Sequence, residues 1–200
     1  MGLGLPTSGS GDFIPFIKYN AKAGRWYTKS DAGDVTEVQT LGAVFDLENI
    51  KTGYIKFGAG AAPEYRFDTA TGKGDAEQPD DRFKRGFIVN IFSDKNIGGL
   101  REFSSTAGVV NDTMNDLYDD YLEGLKANPG KLPVVQCIEV MPIEGAHGTN
   151  YAPTLKIAAW TDRPEAMVPG SNGATAGKPI ETTDVPPPQP QPTQQDGDIF

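Results

Sequence analysis

Short runs of apolar, aromatic and β-branched residues, separated by polar and glycine-containing turns, recur over residues 13–162 and predict β-strands. Residues 13–19 (FIPFIKY) and 25–29 (RWYTK) are two such runs, and the segment between them ends in a glycine, so the pair predicts a β-hairpin. Further strands are predicted, in chain order, at residues 35–48 with a bulge or bend at Gly42, 54–57, 64–68, 87–92 with a continuation at 100–104, 132–143 and 153–162. Residues 69–81 are polar and aperiodic, which predicts a long loop.

One helix is predicted, over residues 110–126. Its apolar stripe, at helical spacing, consists of Met114, Leu117, Tyr118, Tyr121, Leu122 and Leu125. The opposite side carries Asp112, Asp116, Asp119 and Glu123. Asn111 or Asp112 is predicted to cap the start, and residues 128–130 (NPG) to end the helix.

Composition divides the chain into three parts. Residues 1–12 are rich in Gly and Ser and predict a flexible N-terminus, and residues 13–165 contain the predicted strands and helix. Residues 166–200 contain the Pro- and Gln-rich run VPPPQPQPTQQ, which has too few apolar side chains to offset its ordering entropy by burial. We expect one folded domain followed by a disordered tail.

The chain ends in Asp-Gly-Asp-Ile-Phe, and this end resembles the C-terminal peptide of bacterial and phage single-stranded DNA-binding proteins. In the bacterial pattern acidic residues precede Ile-Pro-Phe, and here the intervening proline is missing. The resemblance implies that Asp196, Asp198, Ile199 and Phe200 dock into a partner's basic-rimmed pocket, where the terminal ring and carboxylate bind together. It implies replication, recombination or repair proteins as partners.

After the hairpin come several strands, then the helix, then two further strands. This is the order of an OB-fold, a five-stranded partly open barrel. We therefore expect a mainly β protein with an OB-fold-like barrel, the helix between its third and fourth strands, and an added N-terminal hairpin. Another small mixed β barrel is the alternative fold.

Aromatic and basic residues are interleaved on the predicted strands, a mixture that favours single-stranded nucleic acid, since cations follow phosphates and rings stack on bases. Alternation places Arg25, Tyr27 and Lys29 on one face, and Tyr54 and Lys56 on another. The complete set of candidate nucleic-acid-binding residues is Lys18, Lys22, Arg25, Trp26, Tyr27, Lys29, Tyr54, Lys56, Arg82, Lys84 and Arg85.

The net charge of -9 opposes nucleic-acid binding if it is spread evenly. It is not, because residues 13–30 contain Lys18, Lys22, Arg25 and Lys29 and no acid. Acidic residues concentrate on the predicted helix, in the long loop and in the tail. When acidic and basic residues are separated on the surface, a protein of negative net charge can still present a basic surface.

Catalytic and metal sites are not indicated. The single histidine, His147, lies in a Gly/Thr/Asn turn, and the single cysteine, Cys137, lies in an apolar strand, so neither a triad nor a zinc site is predicted. No cofactor motif is present, and no secretory or membrane-spanning segment is predicted. We expect a cytoplasmic, non-catalytic protein of a bacterium or phage-infected cell that binds single-stranded DNA, with its oligomeric state left open. The alternatives are a scaffolding protein without a nucleic-acid surface and a metal-dependent nuclease using Asp80 and Asp81.

Overall fold

The computed structural model describes residues 14–29, 33–58, 62–69, 72, 74–145 and 148–168. Within these residues the strands are β1 (Phe16–Asn20), β2 (Arg25–Lys29), β3 (Val35–Val38), β4 (Gly42–Phe45), β5 (Lys51–Lys56), β6 (Glu64–Phe67), β7 (Lys84–Ser93), β8 (Gly99–Ser105), β9 (Leu132–Gly145) and β10 (Gly148–Thr161). The α-helices are α1 (Asp94–Ile97) and α2 (Gly108–Leu125). The prediction of a mainly β protein is confirmed.

All ten strands belong to one sheet, whose main path is β10-β9-β4-β7-β8-β1-β2-β3. β5 continues β4 along the same edge of β7, and β6 pairs only with β5. The pairing of β1 with β8 is parallel, and the others are antiparallel. No strand pairing joins β3 to β10 within the described residues, so this sheet is mixed and open and has more strands than the predicted five-stranded barrel.

The core lies between one face of the sheet and α2. Ile17, Trp26, Phe87 and Phe103 face it from four strands, each at most 4% exposed. The helix contributes Met114, Leu117 and Tyr121, which are buried as the apolar stripe predicts, and also Val110, which the predicted stripe did not include. Leu122, also placed in that stripe, is 45% exposed instead, because the buried sector of the helix is narrower than predicted.

Several predicted boundaries were wrong. The helix begins at Gly108 after Ala107, not at an Asn111 or Asp112 cap. The side-chain amide of Asn111 instead donates to the Arg85 carbonyl. The predicted strand over residues 35–48 is two strands that pair with different neighbours. Residues 100–104 do not continue the preceding strand, because α1 and Gly98 reverse the chain and β8 returns antiparallel to β7.

Packing continues beyond the predicted domain boundary at residue 165. Met167 is buried, and Arg163 forms ion pairs with Asp46, at 2.6 Å, and with Glu48, at 2.7 Å. This network fixes the segment after β10 against the turn that links β4 to β5. No helix of the described residues combines the length and apolar character needed to cross a membrane.

Candidate nucleic-acid interface

The face of the sheet turned away from α2 carries the aromatic and basic side chains. Strand alternation sets it, since Phe16 and Lys18 flank buried Ile17, and Arg25 and Tyr27 flank buried Trp26. We call it the outer sheet face. It is defined by Phe16, Lys18, Arg25, Tyr27, Lys29, Lys51, Tyr65, Phe67, Lys84 and Glu102.

An aromatic pair lies at one end of the outer sheet face, on β6. The rings of Tyr65 and Phe67 are nearly parallel, with 13° between their planes and 5.2 Å between centroids, and Phe67 is 40% exposed. The ammonium of Lys51 lies 5.6 Å from the Phe67 ring. Gly53 permits this approach of β6 to β5, because a Cβ there would overlap the carbonyl of Arg66. A flat ring surface with an adjacent cation suits a base and its phosphate.

The β1–β2 hairpin supplies the other end. Lys18 pairs across the strands with Tyr27, and its ammonium lies 4.9 Å from the Phe16 ring. Gly24, at a φ of 67°, makes the hairpin turn possible. Arg25 is ion-paired at 2.9 Å with Glu37 on β3, and its side chain is 58% exposed. The predicted hairpin and the predicted shared face of Arg25, Tyr27 and Lys29 are therefore both present.

The lysines of this surface are available to an anion. Among the described residues, no carboxylate is within ion-pair distance of Lys18, Lys29, Lys51 or Lys84. Acidic residues of α2 project from the opposite side of the molecule, where Asp120 pairs with Lys156 of β10 at 3.7 Å. The charges are thus segregated by face, which lets an acidic chain present a basic surface.

Two carboxylates lie on the outer sheet face: Glu37, which is ion-paired with Arg25, and Glu102. Burial raises the pKa of Glu102, and the nearby charge of Lys51 opposes that shift. Burial also raises the pKa of Tyr65, and the Glu102 charge adds to it. Glu102 therefore lies close to both the aromatic pair and its lysine.

Trp26, a candidate from the sequence, does not belong to this surface. It is 4% exposed, and its ring packs 4.7 Å from Tyr19 and 5.0 Å from Phe103, measured between centroids. Alternation along β2 turns it to the core, opposite to its neighbours Arg25 and Tyr27. Its ring has no free face for a base.

Tyr54 and Arg85 lie on the core side of β5 and β7. They are cross-strand partners, with the guanidinium 5.5 Å from the Tyr54 ring, and Arg85 is held by Asp68. Hydrogen bonds from Arg85, then from Thr52, hold the pKa of Asp68 well below its usual range, against the opposing effect of burial. This cluster is separate from the outer sheet face.

The remaining basic candidates are dispersed. Lys56 pairs with Glu64, and Arg82 pairs with Asp80 at 2.7 Å, so both are engaged by neighbours. Lys22 lies exposed in the β1–β2 turn. The tail residues Asp196, Asp198, Ile199 and Phe200, and the turn histidine His147, lie outside the described residues, as does the predicted flexible segment 1–12.

Sequence reasoning missed Phe16, Lys51, Tyr65, Phe67 and Glu102. A signal for two of them was present, because the segment Glu-Tyr-Arg-Phe of β6 alternates charged and aromatic residues, which places both rings on one face. Lys51 was missed because the predicted strand began at residue 54, whereas β5 begins at Lys51. Glu102 and Phe16 meet only through the parallel pairing of β1 with β8, which no local pattern encodes.

The described residues contain no group of three or more His, Cys, Asp or Glu side chains arranged to hold a metal ion. Comparison of the chain with protein-family models, with curated proteins and with solved structures gives no match.

Proposed function

We propose that this protein binds single-stranded DNA through the outer sheet face, without acting on it chemically. The observation that carries the proposal is the stacked pair of Tyr65 and Phe67, with Lys51 beside it, on the same face as the Lys18–Tyr27 pair. Stacking on aromatic rings and neutralisation of phosphates by lysines are the two interactions that single-strand binders combine, and neither depends on base sequence.

The strand pairings support the finer interpretation as an elaborated OB-fold. If β4 and β5 together are taken as strand one, then β7, β8, β9 and β10 follow as strands two to five, with α2 between the third and fourth. Strand one pairs with strands two and four, and consecutive strands two–three and four–five also pair. OB-folds bind nucleic acid on the face of strands two and three, and here that position corresponds to β7 and β8. β1, β2 and β3 extend the sheet from β8.

Binding of a labelled oligo-dT, followed by fluorescence anisotropy as salt is raised, tests the proposal. We expect saturable binding, with log affinity falling against log salt at about 0.7 per phosphate neutralised. Unlabelled single strands should compete and duplex of the same length should not. Equal competition by duplex, or no binding at low salt, contradicts the proposal. Loss of the strand in the presence of Mg²⁺ identifies a nuclease instead.

We also propose that the tail end recruits replication or repair proteins. This rests on the sequence alone, on the acidic residues before Ile199 and Phe200. A chain lacking residues 196–200 should keep its thermal unfolding midpoint and lose partners captured from a bacterial lysate. Because the tail acids compete with phosphates for a basic surface, the shortened chain should also bind single strands modestly tighter at low salt. If it binds no tighter and loses no partner, the tail has neither role.

A further inference from the structure

The carboxylate of Glu102 is an unusual component of a surface that binds a polyanion. Glu102 lies in the middle of β8, with Asn90 of β7 on one side and Phe16 of β1 on the other. Its neighbour Phe103 is fully buried, so alternation directs Glu102 to the outer sheet face. The backbone N–H of Glu102 donates to the Pro15 carbonyl at 2.9 Å, which fixes this part of the strand.

The side chain of Glu102 is half-buried, and its carboxylate oxygens keep access to solvent. Among the described residues, no side chain donates a hydrogen bond to its carboxylate. The surroundings are Lys51, close enough to favour its charge, and Tyr65, whose pKa the carboxylate helps to raise. Its acceptor positions are therefore open to a ligand that supplies a hydrogen-bond donor.

Phosphates avoid such a position, because like charges repel. Within a DNA strand only the bases carry hydrogen-bond donors, so a donor to the Glu102 carboxylate has to come from a base. A carboxylate accepts hydrogen bonds and donates none. It is matched by the amino group of cytosine, and it is opposed by the O4 acceptor that thymine and uracil carry at the same position.

We propose that Glu102 is a specificity-determining residue that favours a base bearing an exocyclic amino group over thymine or uracil. The inference rests on the proposed function, since it requires a single strand on the outer sheet face. The stacking and phosphate contacts of this surface do not depend on base sequence. Glu102 would add one position that discriminates between bases.

The test compares oligo-dC with oligo-dU of equal length, because the two bases have the same size and differ in the polar groups at ring positions 3 and 4. The unmodified protein should bind oligo-dC about tenfold tighter, the value of about one good base contact. Glu102→Gln keeps the shape and offers a donor to O4, so it should bind oligo-dU better and lose most of the preference. Glu37→Gln is the matched control, because Glu37 is the ion-paired carboxylate of the same face. It should leave the ratio unchanged.

The unmodified protein decides the question even if a variant does not fold. Equal affinity for the two oligonucleotides overturns the inference and leaves the proposed function standing. A preference for oligo-dC that persists in folded Glu102→Gln also overturns it. Failure to bind either oligonucleotide refutes the proposed function itself, and the inference with it.

Discussion

Truncating Phe67 to alanine removes one ring of the stacked pair and leaves the strand beneath it. The ring is 40% exposed and its cross-strand neighbour is Gly53, so few core contacts are lost. Full burial of such a side chain contributes about 1.5–3 kcal/mol, and this ring obtains only part of that. Phe67→Ala should therefore remain folded.

The expected loss of binding is larger than the loss of stability. One base stacked on an aromatic ring contributes about 1–3 kcal/mol by alanine substitution. Since 1.4 kcal/mol is a factor of ten, the dissociation constant for oligo-dT should rise about fivefold to 150-fold. Removing the ring also ends its contact with the Lys51 ammonium, 5.6 Å away, and a cation–π contact of about 0.5–1 kcal/mol at an exposed site contributes to folding rather than to binding.

Tyr54→Ala is the matched control, because Tyr54 lies on the same hairpin but faces the core side. It loses its contact with Arg85 and should lower the free energy of unfolding while leaving oligo-dT affinity within about twofold. Anisotropy titrations at one salt concentration give the affinities, and urea unfolding of the same preparations gives the stabilities. A folded Phe67→Ala with unchanged affinity refutes the reasoning, as does a Tyr54→Ala that loses as much.

Three further changes test other parts of the structure. Lys51→Met should lower the slope of log affinity against log salt by about 0.7, the share of one phosphate. Lys56→Met should leave the slope unchanged, because Lys56 is paired with Glu64. Equal slopes in the unmodified protein and both variants contradict a phosphate contact at Lys51. Trp26→Ala should lower the free energy of unfolding by about 3–5 kcal/mol and leave the affinity of the folded fraction unaltered, so a stable variant with weak binding places Trp26 on the interface after all. The pKa of Asp68 is lower in the folded than in the unfolded chain, so its ionised form stabilises the fold above about pH 4, and this contribution is lost as the pH falls below that value, by at most about 1.4 kcal/mol per pH unit. Asp68→Asn should therefore be less stable at pH 7, and its free energy of unfolding in urea should depend less on pH in the acid range. An unchanged acid dependence refutes this.

The sequence was informative where structure is local. The hairpin of β1 and β2 follows from two short strand-like segments and from Gly24 between them, and the helix follows from the spacing of its apolar residues. Alternation also gave the shared face of Arg25, Tyr27 and Lys29, because period two relates neighbours within a single strand.

What alternation lacks is the identity of the neighbouring strand. Tyr54 and Lys56 do share a face, but the pairing of β5 with β7 turns Tyr54 toward Arg85 and Asp68 rather than toward a ligand. The same limit concealed the juxtaposition of Glu102 with Phe16, residues far apart in sequence that a parallel pairing brings together. Local patterns indicate which side chains share a face of a strand, and only the pairing and register of neighbouring strands decide what that face contacts.

The parallel pairing of β1 with β8 has a consequence for how the protein is made. The β1–β2 hairpin leaves the ribosome before the strands that it packs against, because its neighbour β8 ends at Ser105 and its contact with Tyr151 of β10 comes later still. An isolated two-stranded hairpin is marginally stable in water, so Ile17 and Trp26 stay uncovered on the nascent chain until most of it has been synthesised. The hairpin is thus synthesised before the strands that enclose it, and a ribosome that stalls before β8 presents an apolar hairpin to chaperones and proteases.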